Sequence, residues 1–151
     1  MPLGREYVDP AAREGYGFPL VIHLHRAGTV TKGPAELACY VVGAALQNSK
    51  GAVLRLTSFM AFFGTNDGAN DGTKKITVAL LINGVVVGSL QIATNLAAPV
   101  IGVADLTDSA GNGIAVLPGD RISCQLPTNA GNDNPKDLTV QVTAEAFGIV
   151  G

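Results

Sequence analysis

Asn83-Gly84 stands between two runs rich in β-branched residues, Ile76 to Ile82 and Val85 to Ile92, and this constrains the fold more than any other feature. Both central residues of a two-residue type I′ turn take positive φ, which Asn and Gly tolerate and most side chains do not. The segment therefore reads as a β-hairpin. From Ile76 to Ala104 there is no charged residue, and from Ile76 to Asp120 there is no Lys or Arg. A hydropathy window would mark such a stretch as a membrane span. However, Asn83-Gly84, Gly88, Gln91, Asn95 and Pro99 interrupt it, whereas a spanning helix needs about 20 predominantly apolar residues. No membrane partner is expected. Two readings account for the missing charge: a hairpin buried in the core with neutral polar loops, or an outer face that meets another subunit or a larger surface.

Composition narrows the function classes. The chain has 151 residues, one ordinary domain, with 10 Lys and Arg against 12 Asp and Glu for a net charge of −2. Such a balance provides no electrostatic footprint for nucleic acid. Charged residues make up 15% and hydrophobic residues 47%, against about 25% charged in typical soluble domains. With a mean hydropathy of +0.31, a compact β-rich domain that hides surface in an assembly is expected.

The first fourteen residues hold Arg5, Glu6, Asp9, Arg13 and Glu14, with Pro2, Pro10, Gly15 and Gly17 nearby and no apolar period. Residues 1–17 read as an extended arm and 18–151 as the folded domain. No apolar segment of a signal peptide follows the charged start, so synthesis in the cytoplasm is expected. Cys39 and Cys124 form no C-x-x-C pair, and each sits in an apolar run, so both are expected as small buried residues.

Beyond the hairpin, strands are expected over Phe18–Arg26, Leu37–Val42, Ala52–Phe63, Ile114–Leu117, Arg121–Leu126 and Asp137–Phe147. In the last, Leu138, Val140, Val142, Ala144 and Ala146 oppose Thr139, Gln141, Thr143 and Glu145. In Ala52–Phe63, a single alternation sets Val53, Arg55, Thr57, Phe59, Ala61 and Phe63 against Leu54, Leu56, Ser58, Met60 and Phe62. About eight strands joined by Gly/Asn/Asp/Pro turns make an all-β fold, an antiparallel β-sandwich or small barrel, jelly-roll-like.

Candidate chemistry is sparse. His23 and His25 are two apart on a strand and share a face, as in the H-x-H of cupin-type metalloenzymes, but no Glu follows and the chain has no third His. No metal and no cofactor are therefore expected. Asp67 to Gly72 and Asn132-Asp133-Asn134 have some character of calcium loops, yet Ala69 occupies a ligand position and no Glu closes the loop; turn formation explains them as well. There is no G-x-S-x-G, P-loop or G-x-G-x-x-G, and a Ser-His-Asp arrangement has few possible bases. The chain is not expected to be an enzyme.

The polar arm, the strand ending Tyr40-Val41-Val42-Gly43, the pattern Ala52-Val53-Leu54-Arg55-Leu56-Thr57, the Asn83-Gly84 hairpin, the Pro118-Gly119-Asp120 turn and the closing Asp137–Phe147 strand together set the pattern. Over roughly residues 20–147 it resembles the small β-sandwich structural proteins of tailed bacteriophages, especially capsid decoration (cement) proteins. The resemblance implies a virion structural protein on the capsid exterior, a homotrimer bound to the major capsid protein and stabilising its lattice. The arm would carry Tyr7, Val8, Tyr16 and Phe18 as anchors. Two alternatives stand beside it. One is another phage structural part, such as a tail or fibre module. The other is a ligand- or carbohydrate-binding module, although aromatics are only 5% and Trp is absent.

Overall fold

The computed structural model describes residues 18–30, 33–43, 53–66, 75–93, 101–127 and 135–147. Its elements are β1 (Phe18–Thr29), β2 (Gly33–Val41), β3 (Val53–Asn66), β4 (Lys75–Ile82), β5 (Val85–Ala93), β6 (Gly102–Asp105), β7 (Ile114–Val116), β8 (Arg121–Leu126) and β9 (Pro135–Phe147). One sheet has the order β1-β9-β3-β6 with β7 also on β3; the other has the order β2-β8-β4-β5. Every pairing is antiparallel. With β6 and β7 taken as one interrupted strand, eight strands form two four-stranded sheets in jelly-roll order. The chain is an all-β jelly-roll sandwich. No helix among the described residues is long and apolar enough to cross a membrane.

The hairpin forms as its residues dictate: Asn83 and Gly84 have φ of 51° and 81°, and Ile82 pairs with Val85 across the turn. Its inward residues Ile76, Val78, Leu80, Leu90 and Ile92 lie in the core. Burial within the chain's own sandwich thus accounts for part of the uncharged stretch, whereas Val85, Val86, Ile101 and Val103 of the same stretch are exposed. From β9, Leu138, Val140, Val142 and Ala144 enter the same core, while Thr139, Gln141, Thr143 and Glu145 are half-buried on the outer side.

Two expectations need correction. The alternation in β3 does not keep one phase: Leu54 and Leu56 are buried, and then Phe59, Ala61 and Phe63. Thr57 is an extra residue in the ladder, since Leu56 pairs with Ala144 and Ser58 with Thr143. Such a bulge turns every later side chain to the other face. Cys39 is exposed on the edge strand β2, whereas Cys124 is buried and both are free thiols. Burial pushes the Cys124 thiol up to about 11. A maleimide at neutral pH is expected to modify Cys39 and to reach Cys124 only in denaturant, read by mass spectrometry, because the thiolate is the reactive form.

The Thr57 bulge also divides the sixth strand. β6 pairs with Ser58 to Ala61 and β7 with Leu54 to Leu56. Between them the Thr57 carbonyl accepts the Leu106 N–H at 2.9 Å, and the Thr57 hydroxyl donates to the Thr143 carbonyl at 3.2 Å. Leu106 is buried beside Phe59 at the position where Gly88 leaves room.

Candidate functional site

Successive antiparallel strands alternate direction, so the starts of β1, β3, β5 and β8 and the ends of β2, β4, β7 and β9 gather at one end of the sandwich. The register agrees: Val41 pairs with Arg121, Ile82 with Ile122, Leu54 with Val116, and Phe18 with Ala146. Among the described residues nine large hydrophobics are exposed, and seven of them lie at or near this end: Leu20, Val21, Tyr40, Val41, Val85, Val86 and Leu117. The other two, Ile101 and Val103, lie beside and within β6. This apolar concentration makes the end the candidate functional site among the described residues.

A network of hydrogen bonds makes this end rigid. Asn83 donates from Nδ2 to Asp120 Oδ1 at 2.8 Å and accepts the Arg121 N–H on Oδ1 at 2.9 Å. Asp120 Oδ2 accepts the Leu117 N–H at 2.8 Å. The Val42 N–H donates to the Asp120 carbonyl, and the Gly119 N–H to the Val42 carbonyl, both at 2.9 Å. The β4–β5 turn, the β7–β8 turn and the end of β2 are thereby joined. Arg121 forms an ion pair with Glu36, whose Oε1 also accepts the Ser123 hydroxyl at 2.9 Å.

The same chemistry sets the acid response. The Leu117 N–H, and then the Asn83 amide, hold the Asp120 carboxyl below its ordinary value. The Thr107 N–H and hydroxyl do so for Asp105, and the Asn112 N–H leads the causes for Asp108. A carboxyl with a folded pKa below its unfolded value contributes stability above the unfolded value, and that contribution is lost as pH falls through the folded one. Urea midpoints are therefore expected to decline below about pH 4, the region where an unperturbed Asp titrates, and to decline less for Asp120→Asn.

The sequence-predicted residues lie elsewhere or outside the described set. His23 and His25 do share the outer face of the edge strand β1 and are exposed; His25 Nδ1 lies 3.1 Å from the Thr139 hydroxyl. Among the described residues no group of three or more His, Cys, Asp or Glu is placed to hold a metal ion. Tyr7, Val8 and Tyr16 fall outside the described residues. Phe18 opens β1, paired with Ala146, and so belongs to the sheet. Asp67 to Gly72 and Asn132 to Asn134 also fall outside the described residues; Asn66 and Pro135, which precede and follow them in sequence, are ladder partners opposite the apolar end. Sequence reading missed the apolar end. Strand parity was the signal that could have found it, because it sends Tyr40, Val41, Val85 and Leu117 to one place.

The chain matches no family model and no curated protein. Among solved structures it is similar to a carbohydrate-binding module in complex with calcium and xylotriose, at 16% identity over 87% of this chain and 90% of that chain, with a TM-score of 0.41. It is also similar to a chain of Cocksfoot mottle virus, at 10% identity over 89% of this chain and 85% of that one, TM-score 0.36. A marine algae virus of the order Picornavirales provides a third likeness, at 12% identity over 89% and 72%, TM-score 0.35. The strand order, and not these likenesses, establishes the fold.

Proposed function

We propose that the chain is a non-enzymatic structural protein of a bacteriophage particle, one that attaches to the outside of the capsid and stabilises its lattice. The observation that carries this reading is the concentration of seven exposed large hydrophobics at or near one hydrogen-bonded end. A rigid apolar surface loses little conformational entropy on docking. Its charges have partners within the chain, so it suits a neutral protein surface and not a phosphate backbone. β1, which residues 1–17 precede in sequence, begins at this same end, and Tyr7, Val8 and Tyr16 would be the arm's anchors on a major capsid subunit. An antibody raised to the chain tests the reading on purified phage particles. Label on intact capsids is expected, and particles free of the chain would contradict it.

The competing reading, a glycan-binding module, draws on one observation: Asn66 and Pro135, which adjoin the two Asn/Asp-rich segments in sequence, are ladder partners at the opposite end. Calorimetric titration with calcium and xylotriose, giving saturable heat, would favour it.

A further inference from the structure

Asn-Gly, the step at which an asparagine is chemically least stable, occurs twice in the chain, at Asn83-Gly84 and at Asn112-Gly113. The reaction needs water alone. The glycine nitrogen bonds to the asparagine Cγ and gives up its proton; the Cγ–Nδ2 bond breaks, and ammonia leaves with that proton. Water then opens the five-membered imide at either carbonyl, giving aspartate or isoaspartate. Hydroxide speeds the ring closure by removing the amide proton, and glycine, with no Cβ, leaves its nitrogen unshielded. Both asparagines are exposed, so accessibility does not distinguish them.

Conformation and hydrogen bonding do. Asn83 has a φ of 51° in its type I′ turn, where ψ is positive as well. The Gly84 nitrogen then lies nearly opposite the Asn83 Cβ, and the turn must open before a ring can close. Both polar atoms of the side chain are also engaged: Nδ2 donates to Asp120 Oδ1 at 2.8 Å and Oδ1 accepts the Arg121 N–H at 2.9 Å. Asn112 has neither restraint. Its φ is not positive, and its Nδ2 reaches Asp108 Oδ2 only at 3.5 Å, longer than the roughly 2.7–3.2 Å of a firm hydrogen bond. Its backbone is held instead, the N–H donating to Asp108 Oδ1 and the carbonyl accepting the Asp108 N–H, both at 2.9 Å.

We infer that Asn112 is a self-modification site of this chain, losing its amide to the Gly113 nitrogen, while the Asn83–Asp120–Arg121 network preserves Asn83. The change falls where the fold has least room. A carboxylate formed in place of the amide faces Asp108, which the Asn112 N–H helps to keep ionised, and like charges repel. Isoaspartate also adds one atom to the main chain immediately before Gly113, where the Leu56 carbonyl leaves no space for even a Cβ. β7 follows directly and pairs with Leu54 to Leu56, so the modified chain holds β7 less firmly on β3.

The chain is incubated at mildly alkaline pH, folded and, as reference, unfolded in urea. Chymotryptic peptides are read by mass spectrometry and isoaspartate by enzymatic methylation. In urea the two steps should convert alike. In the folded chain Asn83 is expected to convert at least about tenfold more slowly than Asn112, the factor set by one hydrogen bond to a charged partner that must break first. Asp120→Ala, its fold checked by circular dichroism, should narrow that gap. Asn112→Gln, which would need a larger ring, should keep its melting temperature on storage, whereas that of the unaltered chain falls as isoaspartate accumulates. Equal rates at the two folded sites, faster conversion at Asn83, or an Asn112 that converts only in urea overturns the inference. A gap that Asp120→Ala leaves unchanged overturns the role of the network, and an Asn112→Gln chain that loses stability as fast as the unaltered one overturns the effect on β7.

Discussion

Ile92→Asp is expected to leave no folded protein at 25 °C. Ile92 is 2% exposed and pairs with Ile76, which is fully buried, in the β4–β5 ladder, one pair in from the end away from the turn. Loss of the Ile side chain from a packed core costs about 2–5 kcal/mol. An unpaired carboxylate buried in its place adds several kcal/mol more. Together these approach or exceed the roughly 5–15 kcal/mol that holds a domain of this kind together. The carboxyl would escape part of the penalty only by staying protonated. Circular dichroism and urea titration would read the result as absent β-sheet signal or a collapsed midpoint. Val86→Asp, on the outer face of the same hairpin and about half exposed, should fold and melt close to the unaltered chain. The contrast separates the two readings of the uncharged stretch residue by residue: core at Ile92, surface at Val86.

The second large effect is expected at Gly113. A Cβ there would lie 2.4 Å from the Leu56 carbonyl oxygen and 2.9 Å from its carbon. These are backbone atoms in the β3–β7 ladder, next to the Thr57 bulge, and they cannot rotate away as a side chain can. Gly113→Ala must therefore push β7 from β3, and the cost should be at the upper end of overpacking, about 3 kcal/mol. For a chain of this size that corresponds to a fall in Tm of roughly 6–12 °C. Gly43→Ala is the control. A Cβ at Gly43 meets nothing within 4 Å and its φ is not positive, so a shift within about 1 kcal/mol, of either sign, is expected there. Equal melting temperatures for the two variants would contradict the packing described at the bulge.

What the sequence made legible follows from how local each signal is. The hairpin through Asn83-Gly84 and the alternation of β9 depend on residues adjacent in the chain, and both stand in the structure. The phase change in β3 does not. Apolar residues occur on both of its faces, Met60 and Phe62 on one and Phe59, Ala61 and Phe63 on the other, so period-2 counting cannot detect an inserted residue. Only pairing with β9 exposes Thr57 as extra. Cys39 was misplaced for a related reason: an apolar run implies burial in a central strand, but β2 is an edge strand where Cys39, Tyr40 and Val41 face outward or border the rim. The residues of the apolar end come from β1, β2, β5 and the β7–β8 turn and have no common sequence neighbourhood, so only the alternation of strand direction relates them.

The central claim is that this chain works through its apolar end, and hydrogen exchange read segment by segment on the assembled and the dissociated chain tests it most directly. Slower exchange on assembly is predicted at Leu20–Val21, Tyr40–Gly43, Asn83–Val86 and Leu117–Arg121, with Phe63–Asn66 and Pro135–Lys136 unchanged. Protection confined to that opposite end, with none around Val41, Val85 and Leu117, would contradict the account.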